Sequence, residues 1–211
     1  MSKEEIAACK EEYLKLCREN IRREGLEELL AYLETTDFYT APSSTLFHLN
    51  EEGGLCKHSI NVFRTAMKIY NSIVVPAEQD GSTNYEGNVS MESLAISTLF
   101  HDLCKTKLYK PTEKWKKGSD GRWESYMGYE VQDEFPLGHG EKSCLIINWF
   151  MKLNRDELLA IRWHMGMFDI GEQGSAQRYA FRAAVEKCPL VSIVHASDFI
   201  ASNLLEKTTK H

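Results

Sequence analysis

The stretch Met91-Glu-Ser-Leu-Ala-Ile-Ser-Thr-Leu-Phe-His-Asp-Leu-Cys-Lys105 decides how the rest of the chain is read. Leu94, Ala95, Ile96, Leu99, Phe100 and Leu103 cover nearly the whole circumference of a helix over residues 91 to 105. A helix that is apolar all round belongs at the centre of a domain. Its last turn carries the adjacent pair His101-Asp102, with Lys105 just beyond. A carboxylate taken into an apolar interior needs a paired charge or a metal, so the pair is a chemical signal as well as a structural one.

Upstream, residues 57 to 73 have helical periodicity, with Val62, Ala66 and Ile69 on the face shared by His58. That histidine stands near a helix start and points inward. The segment 40 to 54, Thr-Ala-Pro-Ser-Ser-Thr-Leu-Phe-His-Leu-Asn-Glu-Glu-Gly-Gly, has no such period and ends in a glycine pair suited to a close approach. Ser2 and Glu5 form a capping box that opens a helix over 2 to 20. Leu26, Leu29, Leu30 and Leu33 mark a second helix over 25 to 35. Residues 74 to 90 are polar and are expected to form a loop.

Downstream, Tyr109, Trp115, Trp123, Tyr126 and Tyr129 flank the turn Gly118-Ser-Asp-Gly121, which predicts a β-hairpin inserted at about 107 to 133. Its aromatic residues are expected to form a small packed cluster, and the insertion could serve as a lid. Helices resume over 138 to 152 and 154 to 165, the second capped by Asn154 with Glu157 and stopped at Gly166. Two more are expected, over 175 to 187 and from Pro189 to about Glu206, the last carrying Asp198 inward. The expectation is a single domain over 1–211, all-α with a small β-hairpin insertion.

The formal net charge of -6 argues against a surface built to neutralise a nucleic-acid backbone. A small anionic substrate fits better, since a metal and a few local cations can reverse the field inside one pocket. Met1-Ser2-Lys3-Glu4-Glu5 lacks the apolar core of a secretory signal, and no run reaches the roughly 18 apolar residues of a membrane span. A cytoplasmic protein is expected. The 6 cysteines are scattered singly, which suits reduced thiols and disfavours a cysteine-based zinc site.

His58, then His101-Asp102, then Asp198 are side chains of the kind that hold a hard or borderline divalent ion when separate elements bring them together. The strings Gly53-Gly54-Leu55-Cys56-Lys57-His58, Leu99-Phe100-His101-Asp102-Leu103-Cys104-Lys105 and His195-Ala196-Ser197-Asp198, in that order, resemble the HD-domain phosphohydrolase superfamily over about Thr40 to Glu206. The resemblance implies an HD-type helical bundle with metal at its centre and hydrolysis of phosphate esters by metal-activated water. His139, in Leu-Gly-His-Gly-Glu-Lys-Ser, and His164, in Arg-Trp-His-Met-Gly, resemble the histidines of the binuclear branches, where a second ion is held and the HD aspartate bridges the two.

Ala41-Pro-Ser-Ser44 and Gly138-His-Gly140 are also similar to the HD domain of bacterial 3′-5′ exoribonucleases that join an OB barrel to an HD domain. No OB-like segment precedes the motifs here, and with the acidic balance this disfavours nucleic-acid substrates.

The expected metal ligands are therefore His58, His101, Asp102, His139, His164 and Asp198, around one or two ions of manganese, iron, nickel or magnesium. Asp102 and Lys105 are the expected catalytic residues. Lys105 would meet the substrate phosphate or else serve as a solvated helix end, with Lys142 and Arg162 as further phosphate contacts and Arg178 and Arg182 behind them. His48 and His195 are open between pocket wall, second shell and structural roles, and Glu52 and Glu141 are not expected to act. The expected activity is a phosphatase or phosphodiesterase on a nucleotide or other small phosphorylated metabolite. A di-iron oxygenase of similar ligand set and a non-catalytic nucleotide-binding sensor are the alternatives.

Overall fold

A computed structural model describes residues 1–170 and 174–208. The chain is mostly helical: α1 (Lys3–Asn20), α2 (Leu26–Glu34), α3 (Gly54–Ile69), α4 (Val75–Asp80), α5 (Met91–Leu99), then strands β1 (Tyr109–Lys117) and β2 (Trp123–Val131), followed by α6 (His139–Asn148), α7 (Arg155–Arg162), α8 (Ser175–Lys187) and α9 (Pro189–Ile200). No single helix among the described residues is long and apolar enough to cross a membrane.

The two capping boxes form as expected. Ser2 Oγ accepts the Glu5 amide while Glu5 accepts the Ser2 amide, and Asn154 and Glu157 do the same at α7. Glu157 is fully buried because Arg23 and the Ser93 hydroxyl also bond it, which ties the α1–α2 connection to α5 and α7.

Helices α3, α5, α7 and α9 pack against one another, with α1 and α6 on the outside. One apolar cluster, built on Tyr13, Leu29, Leu55, Ile60, Leu99 and Ile147, fills the space toward α1, α2 and α6. A second, built on Leu94, Trp163, Leu190, Val191 and Val194, fills the space toward α8 and α9.

Several boundaries differ from expectation for identifiable reasons. α5 ends at Leu99, not at 105, so His101 and Asp102 lie in the turn that follows it, before a short 3-10 turn at Leu103–Lys105. The carbonyls that a longer helix would satisfy are taken by side chains: His101 Nδ1 bonds the Thr98 oxygen at 2.8 Å and the Tyr13 hydroxyl donates to the Leu99 oxygen at 3.0 Å. α7 stops at Arg162 in the same way, with His164 Nδ1 on the Ile161 oxygen. The expected 74 to 90 loop begins with α4, which a π turn at Tyr70–Val74 joins to α3. α9 likewise passes into a π turn at Ala201–Leu205.

The glycine pair is used as expected. A Cβ on Gly54 would fall 2.1 Å from the Leu49 oxygen, so the start of α3 tucks under the approach loop only because that side chain is absent.

The hairpin is antiparallel, from the pair Tyr109↔Val131 to the pair Lys117↔Trp123. Its two tryptophans stand outside the expected packed cluster. Trp115 and Trp123 stand on one open face, 60% and 66% exposed, because the two-stranded arm has no second layer to cover that face.

Candidate metal centre

Four helices deliver the ionisable side chains to one buried place. His58 comes from the first turns of α3, His101 and Asp102 from the turn after α5, His164 from the turn after α7, and Asp198 from α9. All five are buried. His139, the first residue of α6, joins from one side and is partly exposed. The six residues expected as ligands are thus together.

Their hydrogen bonds fix which atoms face inward. His101 Nδ1 donates to the Thr98 oxygen (2.8 Å) and His164 Nδ1 to the Ile161 oxygen (2.7 Å). His58 Nδ1 donates to the Glu206 carboxylate at 3.1 and 3.0 Å. A carbonyl or carboxylate oxygen can only accept, so each Nδ1 carries a proton and each neutral ring has its lone pair on Nε2.

Those three Nε2 atoms point at further acceptors. His58 Nε2 lies 3.2 Å from His101 Nε2, 3.2 Å from Asp198 Oδ1 and 3.4 Å from Asp102 Oδ2. His164 Nε2 faces Asp102 Oδ1 at 3.4 Å, is buried and makes no hydrogen bond. Acceptors held this close need a cation between them, either a proton or a metal.

Donor atoms bonded at about 2.1 Å to one ion stand about 3.0 Å apart in octahedral and about 3.4 Å apart in tetrahedral arrangements, so the spacing here fits a metal.

Asp102 divides the site in two. Its Oδ2 faces His58 and His101 (3.4 and 3.3 Å), and its Oδ1 faces His139 and His164 (3.0 and 3.4 Å). One carboxylate thus presents one oxygen to each pair of imidazoles. Lys105 Nζ also bonds Oδ2, at 2.6 Å.

The charge state follows from these contacts. Burial opposes ionisation of Asp102, but Lys105 and the neighbouring histidines outweigh it and hold the carboxylate well below its usual range. Asp198 is lowered in the same way against its burial, chiefly by His58. Burial disfavours a charge on His58, yet Glu206 and Asp198 raise it to about 10. His101 is pushed down by burial and His48 is lowered to about 4 by burial and by His58.

Sequence reasoning missed Glu206. It follows the π turn after α9, has a fully buried side chain, and accepts from Asn61 as well as from His58. A carboxylate behind a ligating imidazole fixes the ring and raises its basicity. Its only trace in the sequence is its place eight residues after Asp198, which takes a widened turn to exploit. Cys104 was also missed: its Sγ lies 3.4 Å from His139 Nδ1.

His195 lines the cavity and also makes a structural contact. Its Nδ1 donates to the His164 oxygen at 2.6 Å, and its ring fills the space beside Gly166. His48 Nε2 stands near Ser202 and Glu206 and lines the pocket. His211 lies outside the described residues.

A cavity of about 600 Å³ opens onto the cluster, with Lys105, His139, His164 and Asp198 on its floor and a buried Ser43 hydroxyl without a partner in its wall. Lys142 and Arg162 do not line it. Lys142 pairs with Asp133, and Arg162 pairs with Glu141 and Asp169 while stacking on Trp163. Glu52 is not among the residues lining the cavity either. The hairpin reaches it through Tyr109 alone. No family model, curated protein or solved structure matches the chain.

Proposed function

We propose that the chain is a metal-dependent phosphohydrolase of HD type that cleaves a phosphomonoester or phosphodiester of a small phosphorylated metabolite. The observation that carries this reading is the division of Asp102, with one oxygen toward His58 and His101 and the other toward His139 and His164. That arrangement suits two ions, one held by His58, His101, Asp102 and Asp198, the other by Asp102, His139 and His164.

Divalent ions so bound supply Lewis-acid polarisation of a phosphoryl oxygen and lower the pKa of water. The protein does the rest by position. The outward Nδ1–H bonds keep the three imidazoles in the tautomer that presents Nε2 to an ion. Lys105, buried against Asp102 and facing the cavity, balances the carboxylates and has N–H bonds left for a phosphate oxygen. The Ser43 hydroxyl offers a second neutral contact in the same cavity. No side chain is required as nucleophile.

The test is turnover of a panel of nucleotides, cyclic dinucleotides and sugar phosphates by the full chain loaded with manganese, iron or nickel. Release of phosphate or of a monoester supports the reading. A mixed-valent iron pair with no hydrolysis of any member would sink it in favour of dioxygen chemistry.

A further inference from the structure

The cavity is divided between a charged floor and an apolar rim. Phe47, Phe168 and Phe199 line it and are 70%, 74% and 49% exposed, an unusual amount of aromatic surface to leave in water at the mouth of a polar site. Phe168 and Phe199 are nearly parallel, their planes 17° apart and their centroids 6.4 Å apart. Phe199 directly follows Asp198 on α9, so successive side chains of one helix turn serve the floor and the rim.

The apolar lining is mostly rings, with Met165 beside them and no leucine, isoleucine or valine among the described residues that line the cavity. An acyl chain would be matched by branched aliphatic walls, whereas a planar ring extends a parallel aromatic stack and gains from each added face. Ser202, Asn203 and Thr208 line the same cavity and add polar groups to it.

We infer that Phe168 and Phe199 bind a planar heteroaromatic ring of the substrate and determine specificity for it. The inference rests on the phosphohydrolase reading for the phosphate end of that substrate, and its test is chosen to fail separately.

Adenosine and ribose are titrated into the full chain in the presence of a chelator, with binding followed by calorimetry or by line broadening of the ligand's proton resonances. Adenosine binds and ribose does not. Phe168→Ala and Phe199→Ala each weaken adenosine binding about tenfold, as loss of an aromatic stacking partner does, while Phe199→Tyr keeps it. Both positions are on the surface, and circular dichroism of each variant verifies the fold. Adenosine binding no better than ribose, or binding untouched by both alanine substitutions, overturns the inference. Ring binding as described, with no phosphate ester cleaved by the manganese-loaded protein, supports the ring site and refutes the hydrolase reading. Equal kcat/KM for esters with and without a ring refutes the specificity role and leaves the hydrolase reading standing.

Discussion

His101 and His164 are anchored alike: each stands two residues beyond the end of its helix and donates Nδ1–H to the carbonyl three residues back, at 2.8 Å to Thr98 and 2.7 Å to Ile161. The residue between helix and histidine has nearly the same backbone in both, φ -115 at Phe100 and φ -108 at Trp163. Two helix ends therefore deliver an Nε2 lone pair to opposite oxygens of one carboxylate.

This division predicts selective loss of ions. His164→Ala and His139→Ala are expected to retain one divalent ion per chain, since the oxygen and imidazoles on the other side are intact. His58→Ala is expected to lose the ion that Asp198 shares. Metal-to-protein ratios after manganese loading and desalting check this: one ion per chain in each variant against two in the wild type is expected, and variants that keep both ions or lose both contradict the division.

Glu206→Gln preserves the shape behind His58 and removes the charge. Metal affinity is expected to fall about 10–100-fold, as when other carboxylates behind ligating histidines are changed. Competition against a chromophoric chelator measures it. An unchanged affinity would make Glu206 a packing residue.

Without metal, the raised proton affinity of His58 ties the fold's stability to pH. A histidine at about 10 in the folded chain and about 6.5 unfolded contributes fully below 6.5, and that contribution is lost as pH rises toward 10. The chelated protein should lose melting temperature between pH 6.5 and 8, before thiols ionise, and His58→Gln should flatten that slope. A melting temperature that rises over this interval in the chelated wild type would refute the assignment.

Gly166 has a φ of 57, and a Cβ there would lie 2.4 Å from the His195 ring that holds the His164 carbonyl. Gly166→Ala is expected to cost about 2 kcal/mol or more, from the left-handed backbone and the clash together. Gly121→Ala shares the positive φ but meets open space, so urea denaturation of the two variants separates the contributions. Equal losses would remove the packing claim.

Much of the helical order was legible because it depends on local chemistry: the capping boxes at Ser2 and Asn154, the leucine stripe of α2 and the proline that opens α9. The convergence of His58, His101, Asp102, His139, His164 and Asp198 was legible because inward-facing His and Asp on apolar helices have few other uses. What escaped depends on atoms far apart in sequence. The end of α5 is set partly by Tyr13, distant in the chain, and Glu206 reaches His58 through a π turn that no periodicity reveals. Lys142 and Arg162 drew attention as cations, but their neighbours Asp133, Glu141 and Asp169 hold them away from the cavity.

In the proposed site His58, His101 and His164 would hold metal through their inward Nε2 atoms, with Asp102 offering one oxygen to each of two ions. Metal content by plasma mass spectrometry on the full chain, as purified and after manganese loading, addresses it most directly, with His101→Ala and Asp102→Ala alongside. Two divalent ions per wild-type chain are expected, with His101→Ala losing the ion it shares with His58 and Asp102→Ala retaining none. A wild type that takes up no metal, or variants with wild-type occupancy, would contradict the account.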